Sequence, residues 1–188
     1  MKKLNAVFAA IIIGSLLFTS ACLEEEVIDK TAVLMDTTWI NSEFTVNFTT
    51  EGISTIDEID MLNEIDECNK DDELDFTSTT EYRFLDGANT CANSPSEGVL
   101  ATGTWDLDED SNTLSLGGDY FETITGSYAG FPVTFSDLTT GDDLLFKIIS
   151  ISEEQVELQL EKDLPITVST FGTVQGTAIV DITLVPAP

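Results

Sequence analysis

Apolar and polar side chains alternate with a period of two along several separate stretches of this chain, and this alternation constrains its fold more than any other feature. Residues 40–48, 156–161 and 178–184 show the alternation, and residues 144–151 form a strongly apolar run. Successive side chains of a β-strand point to opposite faces, so a period of two is typical of a strand with one buried face. The chain is therefore predicted to consist mainly of β-strands.

Three further segments complete the secondary-structure prediction. Residues 74–84 predict one or two strands that end in a turn at Asp86-Gly87. Residues 102–116 predict a β-hairpin around the polar loop 108–112. Between residues 56 and 65 the apolar side chains fall at helical spacing among acids, which predicts one short amphipathic helix. Many short antiparallel strands with one helix indicate an all-β barrel or a β-sandwich.

The first 21 residues have the organisation of an export signal. Lys2 and Lys3 precede an apolar stretch at 6–18, and the small residues Thr19-Ser20-Ala21 follow it. The apolar stretch is shorter than the about 20 residues that a membrane-spanning helix needs. We therefore predict a signal peptide over residues 1–21, and the alternative interpretation is an uncleaved anchor helix.

Cys22 directly follows this segment, and its position resembles the lipobox of bacterial lipoproteins. The resemblance implies that the Cys22 sulfur carries a diacylglyceryl group, so that acyl chains hold the mature protein to a membrane. Residues 22–33 are predicted to form an acidic tether. Within it, Glu24-Glu25-Glu26 resembles the surface-export signal of Bacteroidetes-type lipoproteins, although an ordinary solvated spacer would look the same. The predicted location is the outer membrane, with exposure at the cell surface.

The charge and the amino-acid composition exclude several classes of function. The chain has 35 acidic and 7 basic residues, a net charge of −28, and no histidine at any position. A body of this charge repels nucleic acids and would attract a basic partner or a divalent cation, but the preferred interpretation is that the charge keeps the protein soluble outside the cell. The absence of histidine excludes histidine general-base catalysis, Ser-His-Asp and Cys-His nucleophiles, and histidine metal ligation.

Two cysteines remain once Cys22 is assigned to the lipid anchor. Cys68 and Cys91 form an even pair in an exported protein, where disulfides form and persist. The alternative is a free redox pair, but the C-x-x-C spacing typical of such pairs is absent. We therefore predict a structural Cys68–Cys91 disulfide.

A set of motifs around this cysteine pair resembles a known family. Trp39 is followed by a C-x-x-D-D motif at Cys68-Asn69-Lys70-Asp71-Asp72, then by Phe76, by Cys91, and by Gly103-Thr104-Trp105 with a hairpin after it. This pattern is similar to the lipocalin-like domain common in Bacteroidetes-type lipoproteins. The resemblance is carried by the first part of the domain, because beyond the hairpin only the strand alternation agrees with it.

The resemblance implies an up-and-down antiparallel β-barrel of about eight strands, here residues 34–188, with room inside for one small apolar ligand. It implies no enzyme activity and no cofactor, and it names no protein partner. Four aromatic side chains are the candidates for lining a ligand site: Trp39, Phe44, Phe76 and Trp105. The alternative is a structural or adhesion protein whose barrel is filled by these side chains and whose acidic outer surface makes the contacts.

No metal site is predicted. The spacing Asp106-x-Asp108-x-Asp110 matches the start of an EF-hand loop, but Ser111 stands where that loop needs glycine and Gly117 where it needs glutamate. The segment is therefore interpreted as a hairpin turn. The acids Asp71, Asp72, Glu73 and Asp75 are interpreted as a solvated face beside the disulfide, and the alternative is a loose Ca²⁺ site.

The lipobox interpretation predicts the behaviour of a Cys22→Ala variant. Without the thiol that accepts the acyl chains, the protein should remain unprocessed or be released from membranes, which cell fractionation and intact-mass measurement detect. Fractionation of this variant with membranes at the normal mature mass would refute the lipid anchor.

Overall fold

The computed structural model describes residues 28–50, 58–118, 125–128, 131–134, 143–168 and 172–188. The predicted signal peptide, Cys22 and Glu24-Glu25-Glu26 lie outside these residues. None of the helices within the described ranges has the length and apolar character needed to span a bilayer.

Eleven strands and two short α-helices follow one another along the described parts of the chain. A single 3₁₀ turn lies at Glu67–Asn69, between the second helix and the third strand. The helices are α1 (Lys30–Met35) and α2 (Met61–Glu64), and the strands are β1 (Thr38–Thr50), β2 (Ile59–Asp60), β3 (Glu73–Phe76), β4 (Glu81–Leu85), β5 (Val99–Asp108), β6 (Thr113–Gly118), β7 (Thr125–Tyr128), β8 (Phe131–Thr134), β9 (Leu144–Ile151), β10 (Val156–Val168) and β11 (Gly172–Pro186).

Eight of these strands form one closed antiparallel barrel. Their order around the barrel is β1-β3-β4-β5-β6-β9-β10-β11, and β11 pairs with β1 to close the sheet. Neighbours in the barrel follow one another along the chain, which is the up-and-down connectivity. Strand β2 pairs with Thr45 and Val46 of β1, and β7 and β8 pair with each other as a separate hairpin. The predicted barrel is confirmed, and the sandwich alternative is wrong.

The helix predicted between residues 56 and 65 is shorter than expected. Ile59 is buried and pairs with Val46 of β1 as part of a strand, and only Met61–Glu64 is helical. The Asp60 side chain accepts a hydrogen bond from the backbone N–H of Leu62 and so begins the helix. The apolar spacing that suggested one helix therefore combines a strand residue with a single helical turn.

The barrel interior holds the apolar side chains that the alternation placed on one face of each strand. In β9, Leu144, Phe146 and Ile148 point inward and are nearly inaccessible, whereas Leu145 and Ile149 point outward and are about half exposed. The strongly apolar run at 144–151 is therefore a strand with one buried face and an outer face on which Lys147 lies between two apolar side chains.

Gly103 makes room for an aromatic ring inside the barrel. A Cβ atom on Gly103 would stand 2.1 Å from the carbonyl oxygen of Gly117 and 2.5 Å from the ring of Tyr82. These separations are far shorter than any van der Waals contact. Only glycine at position 103 therefore lets the fully buried Tyr82 ring lie against this part of the sheet.

Helix α1, which the sequence did not predict, closes one end of the barrel, called here the lower end. Leu34 of α1 is fully buried, and its carbonyl oxygen accepts a hydrogen bond of 3.1 Å from the indole Nε1 of Trp39. Lys30 donates a hydrogen bond of 2.6 Å to the side chain of Asn112, at the turn between β5 and β6. These contacts hold α1 at the lower end of the barrel.

The opposite, upper end carries the disulfide. Cys68 and Cys91 are bonded, and their Cα atoms are 5.2 Å apart, within the limit of about 7 Å that a disulfide allows. The bond ties the 3₁₀ turn before β3 to the loop between β4 and β5. It therefore joins two irregular segments that share few strand hydrogen bonds.

Removing this bond should destabilise the protein without unfolding it. A Cys68→Ser/Cys91→Ser variant is expected to lose about 3 kcal/mol of unfolding free energy, because the bond restricts the unfolded chain, while the eight-stranded sheet remains. Chemical denaturation followed by circular dichroism measures this loss. Thiol titration of the denatured mature protein should find two free thiols only after reduction, and two before reduction would contradict the bond.

Candidate ligand-binding cavity

A cavity of about 330 Å³ lies at the upper end of the barrel, beneath the two segments that the disulfide joins. Its apolar wall consists of Phe44 from β1, Phe84 from β4, Leu100 from β5 and Ile65 from the end of α2. Phe44 and Phe84 belong to the buried barrel core. The cavity is therefore the upper continuation of the barrel interior.

Polar groups converge on the same cavity. Asn41 from β1, Asn69 from the 3₁₀ turn, Asp72 and Ser94 contribute to its walls. An apolar cavity with a few placed polar groups is the usual character of a small-molecule site, and such sites enclose about 300–1,000 Å³. The cavity volume lies at the lower end of that range, so it suits a compact ligand.

Asp72 is the most unusual of these polar residues. Its side chain is 3% exposed, and it is the single charged residue in the buried core of the described part of the chain. Its Oδ1 accepts a hydrogen bond of 3.3 Å from the backbone N–H of Gly87. Burial raises the pKa of the Asp72 carboxyl to about 6; the hydrogen bond from Gly87 opposes this rise, and the negative charges of Asp86, Asp71 and Glu73 add to it.

The loop between β4 and β5 covers the cavity and is held in place by hydrogen bonds. Asp71 accepts hydrogen bonds of 3.0 and 3.1 Å from the backbone and side-chain nitrogens of Asn89. Ser94 donates one of 2.7 Å to Asp86. A Cβ atom on Gly87 would stand 2.0 Å from the carbonyl oxygen of Asp71, so glycine is required where the loop crosses this segment. These contacts therefore hold this part of the cavity wall against the segment before β3.

The structure places one of the four predicted ligand residues at this cavity. Phe44 lines it, whereas Trp39, Phe76 and Trp105 are buried nearer the lower end and do not line it. The rings of Phe76 and Trp105 pack edge to face with centroids 4.9 Å apart, and the Trp105 indole donates a hydrogen bond of 2.7 Å to the carbonyl oxygen of Ser78. These contacts are those of core residues.

Asp72 is a site residue that the sequence did not predict. The acids at 71–75 were expected to form a solvated face, but in the structure Asp72 is buried, and Asp75 forms an ion pair of 2.6 Å with Arg83 on the outside of the barrel. Alternation along β3 carried the available signal, since Leu74 and Phe76 point inward and Asp72 shares their parity.

The hairpin turn at residues 108–112 is confirmed. The Asp108 side chain accepts hydrogen bonds from the backbone N–H groups of Asp110 and Ser111, and hydrogen bonds with Ser111 lower the pKa of the Asp108 carboxyl. Its Oδ1 atom is thus occupied by the turn. Within the described ranges, no group of three or more acidic or cysteine side chains has the arrangement of a metal site.

A second, wider depression of about 880 Å³ lies beside α1 at the lower end. The acids that line it, Asp29, Asp36, Glu153 and Glu154, are exposed to solvent. Its lining lacks the buried polar group and the aromatic walls of the upper cavity. The upper cavity is therefore the candidate site.

Comparison with known proteins adds a likeness in overall structure only. No protein-family model matches this sequence, and no curated protein matches it. Among solved structures, the chain is similar to a polyisoprenoid binding domain from Saccharophagus degradans implicated in plant cell wall breakdown, with 10% identity and a TM-score of 0.33, over 81% of this chain and 99% of that chain. A superposition this loose carries no inference about the ligand or activity of the present protein.

Proposed function

We propose that the mature protein is a non-enzymatic, lipid-anchored binding module of the outer membrane that holds one small ligand in its upper cavity. The observation that carries this proposal is the cavity itself, where the aromatic core side chains Phe44 and Phe84 meet the buried carboxyl group of Asp72. A barrel built only for structural stability gains nothing from placing a poorly paired carboxyl group in its core, because burying such a group costs free energy.

The position of α1 supports an arrangement in which the cavity faces away from the membrane. Helix α1 closes the lower end of the barrel, and Cys22 precedes it by a short segment of chain. An anchor at Cys22 therefore joins the barrel at the end opposite to the cavity. With this orientation a ligand reaches the upper cavity from the surrounding medium.

A blocked cavity provides the test of ligand binding. Asn93 is an exposed residue that lines the cavity, so Asn93→Trp should place an indole ring over it without removing a core contact. Ala92→Trp is the matched control, because Ala92 is an exposed neighbour in the same loop and does not line the cavity. Each mature protein is purified from membranes, and the small molecules that accompany it are identified by mass spectrometry.

We expect a compound enriched with the unmodified protein and with Ala92→Trp, and depleted with Asn93→Trp. Identical extracts from all three proteins would contradict the binding function. That result would favour the alternative of a structural or adhesion protein that acts through its acidic outer surface.

Surface exposure is a separate part of the proposal, motivated by Glu24-Glu25-Glu26. Replacing these three residues by alanine should reduce the labelling of intact cells by an external antibody, while the total amount of membrane-bound protein stays the same. A variant that exchanges Glu153 and Glu154 for alanine removes acids from the barrel and serves as the control. Equal labelling of all three proteins would remove the export-signal hypothesis.

A further inference from the structure

The carboxyl group of Asp72 is buried with little compensation. Its one hydrogen bond within the described residues is the contact of 3.3 Å from the Gly87 backbone N–H to Oδ1, and Oδ2 accepts none there. A buried carboxylate usually has a cationic partner or several strong hydrogen bonds. Because Asp72 also lines the cavity, a molecule in that cavity is in a position to supply the missing partner.

The charges around Asp72 all have the same sign. Asp86, Asp71 and Glu73 each act on its carboxyl group, and all three are acids. The cationic side chains nearest in sequence are engaged elsewhere, since Lys70 pairs with Glu67 at 2.5 Å and Arg83 pairs with Asp75 at 2.6 Å. The cavity therefore lies in a region of negative potential, which attracts cations and repels anions.

We propose that the upper cavity binds a compact organic cation, an ammonium or amine group on a small apolar body, with Asp72 as the counter-ion. This inference rests on the binding function proposed above and specifies the chemical class of the ligand. The apolar body lies against Phe44, Phe84 and Leu100, and the cationic group lies at the Asp72 carboxylate. The ligand thus supplies a cationic partner for the Asp72 carboxylate.

The composition of the cavity distinguishes an organic cation from a metal ion. Calcium takes six to eight oxygen ligands and magnesium takes six, whereas Asp72 is the one carboxylate that lines this cavity. Half of the other lining residues are aromatic or aliphatic, and this part of the wall suits hydrocarbon. An aromatic face also attracts an ammonium group, so Phe44 and Phe84 favour the same class of ligand.

Three matched probes test this inference. Phenethylamine, 2-phenylethanol and phenylacetate carry the same ring on a short chain and differ in an ammonium, a hydroxyl and a carboxylate group. The mature lipoprotein, reconstituted in bilayers of neutral phosphatidylcholine, is titrated with each probe by calorimetry, and empty bilayers provide the blank. We expect phenethylamine to bind at least about tenfold more tightly than 2-phenylethanol, and phenylacetate not to bind.

The Asp72→Asn variant identifies the counter-ion. The asparagine oxygen still accepts the hydrogen bond from Gly87, but the charge is lost, so the preference for phenethylamine over 2-phenylethanol should disappear while the binding of 2-phenylethanol persists. Asp110→Asn is the matched control, because it removes one charge from an exposed position in the β5–β6 turn at the lower end. This control should keep the preference.

The pH dependence provides a second measurement that needs no variant. The pKa of Asp72 is raised to about 6 by burial, so its carboxyl group is mostly ionised at about pH 7.5 and mostly protonated at about pH 5. The amine stays protonated over this range. Phenethylamine affinity should therefore fall about tenfold or more as the pH is lowered through 6, while 2-phenylethanol affinity stays constant.

The remaining outcomes overturn either the cation inference alone or both the cation inference and the binding function. Equal binding of the amine and the alcohol, with no effect of Asp72→Asn and no change with pH, would overturn the cation inference and leave the binding function standing. Preferential binding of phenylacetate would do the same. No binding of any probe, while a compound co-purifies with the protein and is lost in Asn93→Trp, would also overturn only the cation inference. No binding and no co-purified compound would remove both.

Discussion

The pairing of β11 with β1 is the interaction on which the rest of this structure depends. It runs from the Trp39–Pro186 pair to the Thr50–Gly176 pair and joins strands from opposite ends of the chain. Closing the sheet joins its first and last barrel strands and creates the interior that receives the inward-facing side chains. Contacts this distant in sequence carry a loop-closure cost, which the burial of those side chains offsets.

Closing the barrel also creates two ends, and different parts of the chain cover them. At the lower end, Leu34 and Trp39 bury a short helix against the strands. At the upper end, irregular segments cover the barrel and are joined by the Cys68–Cys91 bond. The α1 side chain of Leu34 is buried at the lower end, whereas the two covalently tied segments border a cavity lined by core side chains and by Asp72. This difference explains why the candidate site lies at the upper end.

The buried carboxyl group of Asp72 lowers the stability of the fold at neutral pH but serves the proposed binding function. Its raised pKa means that the folded protein holds this proton more tightly than the unfolded chain does. The group therefore favours folding most below its ordinary pKa of 3.8, and that contribution is lost as the pH rises through about 6. At neutral pH the charged carboxylate is a cost to stability, and a cationic ligand would offset it. Groups with such displaced pKa values are concentrated at functional sites.

The sequence by itself determined the barrel strands, the 108–112 hairpin and the pairing of the two cysteines left outside the predicted lipid anchor. Alternation and turn residues act between near neighbours, so they can be read without knowing the fold. Only the tertiary structure decided that Ile59 joins a strand, that Trp39 fills the core instead of lining a site, and that Asp72 is buried. Burial depends on which distant segments cover a residue. For Asp72, that cover comes from the loop after β4, which the pairing of β3 with β4 and the disulfide hold beside it.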